Sequence, residues 1–184
     1  MTSIDAKQAA SALSDIDSIA HRVRRSTTYK TSSLVLILWG IVSCVGYLLS
    51  YLSPHTARYS WIALFVAGIA GWFAISAIQR KQFGVRSLDL RMLTAFALFV
   101  AFGLFTCVLG HFGPRQLSTF WPIYFMLAYT IAGLWTGVAF IVIGLSITAL
   151  TLIDYFFVGA SFDLWMALID GGGLILGGFW MRRE

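Results

Sequence analysis

Six stretches of about 20 mostly apolar residues, separated by short polar breaks, constrain this chain more than any other feature, because that length is what crosses ~30 Å of hydrocarbon as a helix. They fall at about 33–53, 59–79, 92–112, 118–135, 138–158 and 162–181. Within lipid every backbone N–H and C=O must find its partner inside the segment or in a closed barrel. The alternating pattern of barrel strands is absent, so helices are the assignment. The predicted fold class is all-α: a polytopic membrane protein of six transmembrane helices arranged as three hairpins.

Composition agrees. Of 184 residues, 59% are hydrophobic and only 11% charged, against about 25% charged in an ordinary soluble domain. The net charge of +5 would suggest nucleic acid in a soluble protein, but most of the basic residues flank apolar runs. That placement reads as a membrane orientation signal, and no nucleic-acid partner is expected. With the N-terminus inside, one face collects Lys7, Arg22, Arg24, Arg25, Lys30, Arg80, Lys81, Arg86, Arg91, Arg182 and Arg183, while the other receives only Arg58 and Arg115. Both termini are therefore predicted cytoplasmic, in a bacterial inner membrane. No cleavable signal peptide is expected, because the first thirty residues hold no unbroken apolar stretch. Cys44 and Cys107 lie inside apolar runs, with neither disulfide nor metal spacing.

Residues 1–31 form a separate arm before a transmembrane domain at 32–184. Leu13, Ile16, Ile19, Ala20 and Val23 recur at helical spacing among Asp15, Asp17, Arg22, Arg24 and Arg25, which predicts a cytoplasmic amphipathic helix. Its basic end, Arg22, Arg24, Arg25 and Lys30, suits an anionic leaflet or a protein partner at the cytoplasmic face.

The three hairpins bend at Pro54, Pro114 and Gly159. A Trp follows each bend at Trp61, Trp121 and Trp165, and each descending helix carries Gly beside an aromatic residue near its inner end. Pro122 is expected at the start of the fourth helix, where a missing N–H costs little. This layout resembles the HdeD-type bacterial membrane proteins linked to acid resistance. The resemblance covers the six-helix region, and its closest stretch runs from Phe140-Ile-Val-Ile-Gly144 to Gly159, then from Trp165 through Gly178. It implies a stress-related membrane role; no cofactor is expected. The amphipathic arm is longer than that family leads one to expect.

Carboxyls at membrane depth are functional candidates, since each costs roughly 2.5–3.5 kcal/mol at a helix centre. Asp170 lies near the middle of the sixth segment, roughly 10 Å from its outer end at 1.5 Å per residue, and Asp154 nearer the outer end of the fifth. As one hairpin these helices bring the two carboxyls within reach of each other, with no Lys or Arg at that depth to neutralise them, and such a pair is a candidate proton sensor. His111, at the outer end of the third segment, is a further candidate on the same side. The structural alternative has Asp170 protonated and bonded to Ser146, Thr148 or Tyr129.

Gly171, Gly172, Gly173 and Gly177 give the sixth helix a smooth face, with Gly173 and Gly177 as a GxxxG pair. Ala67 and Gly71 form a small-xxx-small pair in the second. Such faces serve packing within the bundle or a homo-oligomer. No HExxH, GxSxG or CxxC motif occurs, and an enzyme is not expected. The function these features predict is a non-enzymatic accessory, sensor or stress-related protein that responds to external protons and signals through its arm. The alternative is a small-solute binding or transport subunit with an aromatic pocket, a class whose vitamin-binding members the chain resembles in size.

Overall fold

The computed structural model describes residues 6–83 and 90–183, and of residues 6–13, 15–29, 80–83 and 92 the backbone alone. The described chain is helical throughout: α1 (Ala6–Leu52), α2 (Ala57–Phe83), α3 (Leu90–Leu109), α4 (Pro114–Thr136), α5 (Val138–Phe157) and α6 (Phe162–Met181). Five segments are long and apolar enough to cross a membrane, Lys30–Leu52 of α1, Ala57–Gln79 of α2, and all of α4, α5 and α6; the apolar part of α3, Leu93–Leu109, is shorter. By length and composition this is a multi-pass membrane protein.

α3 is shorter than its apolar stretch because Gly110, His111 and Phe112 leave the helix. His111 takes a left-handed backbone with φ 48°, which a non-glycine residue adopts only in a turn. The chain then re-enters a helix at once. Pro114 occupies the first position of α4, and the Gly113 N–H donates to Gln116 Oε1 at 2.8 Å, satisfying a donor the helix start leaves open. α4 thus begins four residues before the expected boundary, and Pro122 lies inside it, buried, rather than at its start. A single residue separates α4 from α5. Gly137 has φ 147°, in the region open to glycine alone at low cost.

Glycines bring α1 and α6 into close approach, as Gly133 and Gly144 do for α4 and α5. A Cβ at Gly40 would lie 2.8 Å from the Gly171 carbonyl, one at Gly171 2.7 Å from the Cys44 backbone, and one at Gly178 2.9 Å from the Ser33 carbonyl. The Ser33 hydroxyl donates to the Gly178 carbonyl at 2.7 Å. The contacts advance along α1 as they retreat along α6, so the two helices run antiparallel with their backbones nearly touching. In a bilayer this close approach, not hydrophobic exclusion, holds helices together. α6 turns a second small face to α5, where Gly173 meets Ile147 and Gly177 meets Ile143. The core lies between α1, α4, α5 and α6: Leu36, Met126, Phe140, Ile143, Ile147, Leu174 and Met181. α2 packs on α1 through Gly46, Gly68 and Gly71.

α3 docks on α4 by aromatic stacking. Phe99 and Tyr124 lie 4.1 Å apart and nearly parallel, the Tyr124 hydroxyl donates to the Phe99 carbonyl at 3.0 Å, and Gly103 makes room for Trp121. The outer faces of α2 and α3, including Ile62, Val66, Phe73, Phe102, Phe105 and Val108, are exposed, as suits contact with lipid tails.

Candidate functional site

Glycine allows α6 to do something the other helices do not. Over Ala167–Gly172 it widens into a π-turn, a form often found at functional positions, and the Gly173 N–H is shared between the carbonyls of Asp170 and Ile169. Gly171 and Gly172 contribute no side chains to crowd this turn. Asp170 sits in it, 4% exposed, and is hydrogen-bonded by Ser43 of α1. Ser146, Thr148 and Tyr129 are not its partners. Thr148 donates to the Gly144 carbonyl and Tyr129 stacks on Phe140, because the Asp170 side of α6 faces α1.

Asp154 occupies the last turn of α5, 1% exposed, and neither of its oxygens has a hydrogen-bond partner. Thr151, one turn earlier on the same buried face and 0% exposed, also has an unpartnered hydroxyl. Thr94, Thr106, Thr119, Thr130, Thr136 and Thr148 each donate to the carbonyl four residues before them. That is how a helix interior silences a hydroxyl in apolar surroundings. Thr151 departs from this habit one turn from a buried carboxyl that also lacks a partner.

The expected pairing of the two carboxyls is not what the bundle builds. The charges acting on Asp154 are those of Arg115 and Asp163, and the group hydrogen-bonded to Asp170 is Ser43. Tyr47 of α1 is within electrostatic reach of Asp154, Asp163 and Asp170. It is 2% exposed, packs edge-on against Trp61 at 5.0 Å, and donates its hydroxyl to the Ser118 carbonyl at 2.6 Å. Ser118 lies four residues before Pro122, so its carbonyl is the one that proline, having no N–H, leaves open. The Tyr47 hydroxyl takes the place of the missing donor. Trp61 in turn donates to Ser50 Oγ at 3.0 Å.

The expectation of no cation near these carboxyls also needs correction. Arg115, in the first turn of α4, acts on both Asp154 and Asp163. Its guanidinium donates to the Tyr155 carbonyl at 2.8 Å and also to that of Val158. It lies 5.5 Å from the Tyr155 ring centroid and 4.9 Å from that of Phe162. A cation at a helix C-terminus answers both the unsatisfied carbonyls and the negative end of the dipole. Beside it an open groove is lined by Phe112, Gln116, Thr119, Phe120 and Tyr155.

The remaining sequence candidates scatter. His111 is exposed in the turn after α3. Gly171 faces α1, Gly173 and Gly177 face α5, and Gly172 meets only Leu168 of its own helix. Gly71 rests against Leu38 of α1, but Ala67 is exposed, and the contact one turn away belongs to Gly68. Lys30 is exposed; the side chains of Arg22, Arg24 and Arg25 lie outside the described residues. The backbone through them belongs to α1 without interruption.

Sequence reasoning missed Thr151, Tyr47, Ser43 and the role of Arg115. The Thr-x-x-Asp spacing of Thr151 and Asp154 was the available signal, since it puts both groups on one helix face. No protein-family model matches the chain, and no curated protein or solved structure shows a significant match to it.

Proposed function

We propose that the chain is a non-enzymatic, multi-pass accessory or sensor protein of the bacterial inner membrane, whose buried carboxyls respond to protons on the outer side. The observation that carries this reading is Asp154, buried with both oxygens unpartnered. A bare carboxylate in such a place carries a desolvation cost that the charge of Arg115 offsets only in part, so its occupancy by a proton bears on the energy of this end of the bundle. The charges acting on it are those of Arg115 from α4 and Asp163 from α6, it acts in turn on Tyr47 of α1, and Thr151 shares its helix face. Arg115 ties the Asp154 turn of α5 to the start of α4, which offers a route from the carboxyl's charge to the packing of neighbouring helices. With the basic face inside, α1 runs from this end of the bundle to the N-terminal arm. Arg22, Arg24, Arg25 and Lys30 there would bind or release a membrane surface or protein partner. The three-hairpin layout and its resemblance to HdeD-type proteins favour the same stress-related reading.

The test is affinity capture of the tagged full-length protein from cells at neutral and acidic external pH. A partner whose recovery changes with acid, and stops changing in Asp154→Asn, is the expected outcome; a partner insensitive to acid in both removes the sensing part. If removing residues 1–28 spares all recovery, the arm is not the output. A tightly bound small molecule in place of a partner would favour the solute-binding alternative.

A further inference from the structure

We propose that Thr151 and Asp154 form a binding site for a small monovalent cation of sodium size, which competes with the proton for the same carboxyl. This rests on the reading of Asp154 as a loaded group and names what else loads it. Three buried oxygen atoms, the two of Asp154 and the hydroxyl of Thr151, lack any partner. A proton on the carboxyl removes its charge, whereas a cation held between the two side chains would draw on oxygens from both. Thr148, on α5 itself, shows the back-bond that the same helix offers Thr151. Its hydroxyl nevertheless stays free one turn from the carboxyl, on the same buried face.

The chemistry of the donors selects the ion. All are oxygens, which suit hard cations rather than zinc or copper, and the described residues hold no group of three His, Cys, Asp or Glu side chains that would bind a metal. One carboxylate neutralises one positive charge. A divalent ion would leave an excess charge in a site already under the influence of Arg115. The negative end of the α5 dipole adds attraction for a cation at this turn. The side chains around the site are closely packed, Tyr47 at 2% and Thr151 at 0% exposure, which favours a small ion stripped of most of its water.

Thermal unfolding of the full chain in mild detergent, followed by tryptophan fluorescence, tests this at constant ionic strength. Sodium chloride is compared with choline chloride at pH 8.5 and at successively lower pH. A saturable rise in Tm with sodium at pH 8.5 is expected. Its apparent Kd should increase about tenfold for each pH unit over which the proton occupies the carboxyl. Asp154→Asn and Thr151→Val should each abolish the rise, and Thr151→Ser should keep it. Equal Tm in sodium and choline at every pH overturns the cation site, as does a sodium effect that survives both Asp154→Asn and Thr151→Val. If in the first of these cases Tm still follows pH and Asp154→Asn removes that dependence, the proton reading stands alone. If it does not, both readings fall.

Discussion

Two carboxyls on neighbouring helices, buried to nearly the same degree, have been treated in opposite ways. Asp170 lies in the α1–α6 seam, where glycine brings backbones together and Ser43 supplies a hydrogen bond. Asp154 lies at the end of α5, where Thr151, which shares its face, is equally without a partner. The first has a hydrogen bond supplied from the neighbouring helix, while the second is left incomplete in a place where incompleteness is costly. Burial alone does not separate a structural carboxyl from a functional one; the state of its hydrogen bonds does.

The largest effect should come from the seam. In Gly171→Ala the new Cβ would lie 2.7 Å from the Cα and N of Cys44, backbone atoms that cannot step aside, and a loss of about 3 kcal/mol is expected from such overpacking. Gly172→Ala, whose Cβ would meet nothing nearer than Leu168 at 3.9 Å, should be neutral or gain up to about 1 kcal/mol through helix propensity. Reversible unfolding in mixed micelles checks both, and equal losses would mean that the seam is not where α6 is held.

Leucine at each carboxyl breaks the comparison directly. Asp170→Leu deprives Ser43 of its partner and should cost roughly 2 kcal/mol. Asp154→Leu removes an unpaired buried group and should be neutral or stabilising by about 1 kcal/mol, while abolishing the response to sodium and acid. A comparable loss in both variants would place Asp154 among the structural groups.

Tyr47 gives a smaller and more specific effect. Tyr47→Phe leaves the Ser118 carbonyl open and should cost about 1 kcal/mol. In a Pro122→Ala background the restored N–H can bond that carbonyl, so the same change should cost less than about 0.5 kcal/mol. A double-mutant cycle on unfolding free energies reads this coupling, and its absence would separate the tyrosine from the proline. Smallest of all, Arg115→Gln should cost about 0.5–1 kcal/mol, because its carbonyl contacts are exposed and exposed charge interactions are weak. Measured again in high salt, the loss should shrink.

The helical class and most segment positions were legible in the sequence, and the exceptions have local causes. α3 ends early because His111 adopts the turn backbone. α4 starts early because Pro114 and Gln116 begin a helix where hydropathy alone shows only a polar break. The site was half legible. Asp154 and Asp170 stand out as charges in apolar runs, but the groups acting on each are others: Arg115 and Asp163 on the first, Ser43 on the second. The partner of Asp170 comes from α1 rather than α5, and Arg115 was counted only as an orientation signal.

The physical reason is the range of the forces involved. A helix in lipid satisfies its backbone within itself, so length, apolarity and the absence of a barrel pattern settle its existence from the sequence alone. Which of Gly171, Gly172 and Gly173 meets a neighbour depends on how α6 is rotated between α1 and α5. That Tyr47 replaces the donor Pro122 lacks depends on a contact across 71 residues. No local pattern encodes which oxygen goes unpaired; only the packing of α1, α4, α5 and α6 left Asp154 and Thr151 waiting for a partner.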